Sequence, residues 1–143
     1  MALTPGQYLR KRREAAGLSL DDAALCFETV PPIAASARAE WLALVEADAV
    51  PLPVGIADAL HDAFPFDGRV LAELAYRLDE DPDSIAFGYA VCRSCGCSEL
   101  DPCDTGCSWV VGDAALCTRC HDRARGAPGA DTIVVATLTT VAA

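Results

Sequence analysis

Apolar residues in the first half of the chain recur at helical spacing in short runs, each closed by a turn signal. Thr4-Pro5-Gly6-Gln7 has capping-box spacing with proline at the first helical position, which predicts a helix running to Ala16 and stopped by Gly17. Its apolar positions Tyr8, Leu9, Ala15 and Ala16 are few, and Arg10, Lys11, Arg12 and Arg13 are expected on its exposed face. Ser19 predicts a second helix over residues 20 to about 27, with Asp21 and Asp22 favourable in the first turn. Pro31-Pro32 closes that run. A third helix is expected over 34–47, with Ile33, Ala37, Trp41, Leu44 and Val45 near helical spacing. Beyond Pro51 and Pro53, a fourth over 54 to about 64 presents Ile56, Ala57, Leu60 and Phe64. Asp67 caps a fifth, which presents Val70, Leu71, Leu74 and Leu78.

The pattern then changes. Asp79-Glu80-Asp81-Pro82-Asp83 reads as a linker or helix stop. Residues 132–141 are β-branched almost throughout and predict a strand, paired with residues 108–111; residues 85–91 are a second strand candidate. The expected fold class is α+β: a five-helix bundle over residues 1–80, then a small cysteine-rich module over 81–143 containing short strands.

The 143 residues carry 21 acids against 11 bases, a net charge of −10. Such a balance opposes casual binding to nucleic acid or anionic membrane. No apolar run reaches the roughly 18 residues of a membrane span, and the N-terminus lacks the apolar stretch of a signal peptide. A cytoplasmic location is expected. Thiols stay reduced there, so clustered cysteines point to metal rather than disulfides.

Seven of the eight cysteines lie between Cys92 and Cys120. Cys92-x-x-Cys95 and Cys117-x-x-Cys120 are separated by 21 residues, close to the spacing of four-cysteine zinc modules. Two intervening residues let one turn aim both sulfurs at a single ion. Gly96 suits a turn whose N–H groups approach the thiolates, and the second pair is expected to open a short helix whose dipole favours thiolate charge. Cys92, Cys95, Cys117 and Cys120 are therefore assigned to one tetrahedral Zn²⁺. Cys97, Cys103 and Cys107 leave three readings open: a second zinc completed by His121, a thiolate bridging two ions, or free thiols. An iron–sulfur cluster is the alternative cofactor. Trp109 is expected to pack over the metal knuckle, because so small a module has little other core. Cys26 reads as a buried structural thiol, Trp41 as core and His61 as a solvated or capping histidine. The chain offers no Ser/His/Asp set and no phosphate loop, so neither an enzyme nor a small-molecule substrate is expected.

Leu9-Arg10-Lys11-Arg12-Arg13-Glu14-Ala15-Ala16-Gly17-Leu18-Ser19 resembles the opening of the lambda-repressor-like, or XRE-type, helix-turn-helix family. Ala23-Ala24, Val45-Glu46-Ala47-Asp48, Ile56-Ala57-Asp58-Ala59-Leu60 and Val70-Leu71 are similar to its later helices. The resemblance spans about residues 5–78. It implies a third helix entering the major groove of double-stranded DNA. Arg10, Lys11, Arg12 and Arg13 would then position phosphates, and Ser36 and Arg38 would read bases. That role requires the arginines to converge on one exposed face. Residues 1–80 hold seven Lys/Arg and thirteen Asp/Glu, a net of −6, so attraction to phosphate must come from such a local patch. The cysteine pattern with Gly106-Cys107-Ser108-Trp109 resembles a module of small phage and prophage proteins. Together the resemblances imply a DNA-binding transcription regulator of phage type, its zinc module serving dimerisation or partner recruitment. The alternative is an acidic adaptor or inhibitor whose helical domain binds a protein.

Overall fold

The computed structural model describes residues 3–79, 90–104 and 106–126. These form six helices and one two-stranded antiparallel sheet. None of the described helices is long and apolar enough to cross a membrane. The expected strands at 132–141 and, apart from its last two residues, at 85–91 lie outside the described residues; Val91 forms one antiparallel bridge to Ser98.

Helix α1 (Pro5–Ala15) begins as its capping box predicts: the Gln7 N–H donates to the Thr4 hydroxyl and the Thr4 N–H to the Gln7 side chain, at 3.1 and 3.0 Å. It ends at Gly17, whose φ of 75° is the left-handed conformation a β-carbon disfavours. There the Gly17 N–H donates to Glu14 and the Leu18 N–H to Arg13, closing a Schellman turn. Helix α2 (Leu20–Ala24) is shorter than expected, stopping three residues before Phe27. Helices α3 (Ala35–Glu46), α4 (Val54–Ala63) and α5 (Gly68–Asp79) follow near their expected bounds. Asp67 caps α5, accepting the N–H groups of Arg69 and Val70.

The core forms where α1 packs on α3 and α5 and α2 packs on α3. Tyr8, Leu9, Leu42, Leu60, Phe64 and Val70 are essentially inaccessible to solvent, and each contributes on the order of 1.5–3 kcal/mol by burial. The inward face of α3 differs from the expected one. Arg38, Ala39, Leu42, Val45 and Glu46 turn inward, while Ile33 and Leu44 are exposed. Two charged positions occupy the buried stripe, so apolar spacing alone misplaces it. Trp41 packs at the edge of the core against Phe27, their ring centroids 5.8 Å apart. Ala15 and Ala16 are exposed. Cys26 is also exposed, correcting the buried reading; it lies beyond the end of α2, its sulfur 3.5 Å from the Asp22 carbonyl oxygen.

Arg12 and Arg13 are buried as well, at 6% and 7% exposure, contrary to the solvated face expected of them. Arg13 meets Glu46 on α3 in a bidentate pair at 2.6 and 2.8 Å, and a third N–H reaches the Leu18 carbonyl at 2.7 Å. One residue pair thus fixes α1, the turn after it and α3. Just beyond α3, Asp48 has a positive φ of 59°, and its carboxylate accepts the Gly6 N–H at 2.8 Å and the Thr4 hydroxyl. The backbones are so close there that a β-carbon on Gly6 would lie 2.5 Å from the Glu46 carbonyl oxygen.

Replacing Glu46 by alanine leaves a buried guanidinium uncompensated and should cost about 3–5 kcal/mol of unfolding free energy in denaturant titrations. Arg10→Ala, which breaks the solvent-exposed Arg10–Glu14 pair, should leave the denaturation midpoint nearly unchanged. A midpoint equally insensitive to both changes would refute the structural role of the buried pair.

Candidate metal centre

The module opens on a knuckle, residues 92–97. The Cys92 N–H donates to Cys97 and the Gly96 N–H to Cys92, both at 2.8 Å, and Gly96 takes a φ of 76°. The knuckle rests on α1: a β-carbon on Gly96 would lie 3.1 Å from both Lys11 and Arg12 side-chain carbons. Strands β1 (Trp109–Val110) and β2 (Asp113–Cys117) then form a hairpin, so residues 109–110 pair with β2, whereas residues 132–141 were expected there. Backbone and side chain tie the knuckle to β2, through Arg93 N–H to the Ala115 carbonyl and an Arg93–Asp113 ion pair, each at 2.8 Å. Cys117 is the N-cap of α6 (Thr118–Ala124), and its sulfur accepts the Cys120 N–H at 3.5 Å. The second C-x-x-C pair does open a short helix.

These turns converge seven sulfurs. Cys92, Cys95, Cys117 and Cys120 lie with all sulfurs within 4.8 Å of one another, and so do Cys95, Cys97, Cys103 and Cys117. Either group could hold a metal ion. The first is the set predicted from spacing. Cys97 also approaches Cys107, sulfur to sulfur, at 3.8 Å. His121 belongs to neither group; its Nδ1 lies 3.5 Å from Asp122 Oδ1. Trp109 packs against the cysteines as expected, together with Leu116.

Backbone N–H groups aim at the sulfurs: Cys97 at Cys95, Cys117 at Cys92 and Cys120 at Cys117, at 3.4–3.5 Å. Hydrogen bonds from the Cys95 and Cys97 thiols hold the Cys92 thiol well below its usual range. Cys92 in turn pushes Cys95 up to about 12. Burial pushes Cys117 up to about 12 and Cys103 up to about 11. Without metal, the cluster therefore favours thiolate at Cys92 while Cys95, Cys103 and Cys117 keep their protons, and a cation is what lets these four ionise together.

The candidate DNA contacts do not share one exposed face. Arg10 is exposed and paired with Glu14, Lys11 is half-buried, and Ser36 is exposed on the first turn of α3. Arg12 donates to the Pro65 carbonyl at 3.1 Å and to Asp101 in the cysteine module at 2.8 Å. Arg13 is spent on Glu46. Arg38 donates to the Ala24 carbonyl at 2.9 Å and to Glu28 at 2.8 Å, with its guanidinium 6.0 Å from the Phe27 ring centroid. Asp101, which joins the two halves, was missed from sequence; its only signal was a carboxylate inside the cysteine run. Beside the sulfurs lies a cleft of about 270 Å³, lined by Arg12, Arg119 and Arg123 together with Cys95, Cys103 and Cys120. Cations placed there offset the negative charge of a thiolate cluster.

Comparison with protein-family models, with curated proteins and with solved structures finds no match.

Because thiolates are the ligands, metal uptake should release protons, and affinity should rise with pH through neutrality. A metal titration in two buffers of different ionisation enthalpy measures this. Uptake without proton release would rule out thiol ligation.

Proposed function

We propose that the protein is an acidic protein-interaction adaptor, with the cysteine module as a structural zinc unit held against the helical domain. The observation that carries this reading is the fate of the arginines. Arg12, Arg13 and Arg38 are each 6–7% exposed and committed to carboxylates and carbonyls of the chain itself. A base-reading surface needs outward Arg, Lys, Asn or Gln; the outward side of α3 offers Ser36, Glu40 and Leu44. What the helical domain presents instead is an apolar groove of about 590 Å³ between α1, α4 and α5. Leu9, Leu52, Phe66 and Leu71 line it, with Asp58 at its margin. Concave apolar grooves of this kind take amphipathic helices. With a net charge of −10, the favoured partner is a helix with basic flanks. Zinc is favoured by an all-sulfur donor set of four whose sulfurs lie within 4.8 Å of one another.

A basic amphipathic peptide should bind more tightly than a scrambled peptide of equal charge, measured by fluorescence anisotropy. Ala72 is exposed on α5 at the groove, and Ala72→Arg should weaken binding about tenfold or more. The competing reading, a helix-turn-helix transcription regulator of phage type, rests on the resemblance of residues 5–78 and on exposed Arg10. Salt-dependent binding of genomic duplex fragments, lost on Arg10→Ala with Lys11→Ala, would overturn the adaptor reading in its favour.

A further inference from the structure

The two four-cysteine groups share two members, Cys95 and Cys117. We propose that the module holds two metal ions in one cluster, with the Cys95 and Cys117 sulfurs bridging them. Cys92 and Cys120 complete the first ion, and Cys97 and Cys103 complete the second. The inference rests on the metal reading above and extends it from one ion to two.

Three observations carry it. The first is a count of donors. Two separate four-coordinate sites need eight ligands, and the module has seven cysteines while His121 faces Asp122. Among the described residues, two ions with all-sulfur four-coordination can be satisfied only if sulfur is shared. The second is distance. With metal–sulfur bonds of about 2.3 Å, the edge of a tetrahedron of sulfurs is about 3.8 Å. Cys95 lies 3.9 Å from Cys117, the edge common to both groups, and 3.9 Å from Cys103, which belongs to the second group alone. Its sulfur thus sits at a vertex of both tetrahedra. The third is burial. Cys97 is fully buried although the first ion does not use it. A single-ion site would leave this thiol packed against other sulfurs with no ligand role.

Charge favours the same arrangement. Four thiolates around one divalent cation carry a formal charge of roughly −2, and six around two carry roughly −2 as well. The second ion therefore recruits Cys97 and Cys103 with no added net charge to bury. Cys107, 3.8 Å from Cys97, is the seventh thiol and stays outside the bridged core.

The test is native mass spectrometry of the full-length protein reconstituted with zinc, followed by ¹¹³Cd NMR of the cadmium-loaded form. Two ions per chain are expected, giving two cadmium signals that split one another through the shared sulfurs. One ion per chain would overturn the bridged cluster and leave the single-site reading standing; no ion would overturn both. Two cadmium signals without mutual splitting would also refute it. Among variants, Cys97→Ser should lower the stoichiometry from two ions to one, and Cys107→Ser should keep two. Loss of an ion from Cys107→Ser would replace the six-sulfur core with a seven-sulfur one and overturn the assignment of both bridges. The wild-type spectrum is decisive even if a variant fails to fold.

Discussion

The buried Arg13–Glu46 pair sets the geometry of the helical half. A guanidinium at 7% exposure persists only if its charge and its donors are matched, and Glu46 with the Leu18 carbonyl matches them. The pair fixes the rotation of α1 and of α3 about their own axes, since both partners must face inward together. That rotation has consequences on either side. On α1 it carries neighbouring Arg12 toward Pro65 and Asp101. On α3 it places Arg38, two turns before Glu46, over Phe27 and toward the open carbonyl of Ala24 at the end of α2. Three arginines that look in sequence like a basic surface thereby become three internal fasteners.

Arg12 extends the same logic to the second half of the chain. Its guanidinium spans from the Pro65 carbonyl to the Asp101 carboxylate, and the knuckle glycine closes against its aliphatic stem. Val91 and Leu100 add apolar contact with the helical core. The cysteine module is therefore seated on α1 by charge and shape together. The seating has an electrostatic benefit for the cluster as well. The negative charge of a metal-loaded thiolate core would sit beside Arg12, Arg119 and Arg123, which line the same cleft.

The elements were largely legible in the sequence because their signals are local. Thr4 with Gln7, Ser19 with Asp22, Asp67 and Gly17 each act within four residues, and each cap forms as its chemistry dictates. The four-cysteine set was legible for the same reason, since C-x-x-C spacing is a property of one turn. What was not legible depends on partners distant in sequence. Nothing near Arg13 announces Glu46, and nothing near Arg12 announces Asp101. The inward stripe of α3 was misplaced because two of its buried members are charged. Strand β2 was missed because Asp113-Ala114-Ala115 has little β propensity; its pairing comes from the Trp109–Val110 strand and the Arg93 contacts. The overlap of the two four-sulfur groups at Cys95 and Cys117 is likewise visible only in three dimensions, since spacing can nominate ligands but cannot group them.

The composition of the module's interior decides what kind of object it is. Its buried cluster consists of Cys92, Cys97, Cys117 and Cys120, with Trp109 and Leu116 only partly covered beside them. Among the described residues, an apolar core of that size does not offset the conformational entropy of some thirty ordered residues, at roughly 1–2 kcal/mol each. Metal–thiolate bonds at the proposed zinc site would supply what such a core does not, on the order of 10–16 kcal/mol. The cysteines are thus the core of the module in the same sense that Tyr8, Leu42 and Leu60 are the core of the helices. In the adaptor reading proposed above, the groove between α1, α4 and α5 receives the partner, and the proposed metal site keeps the second half in place against α1.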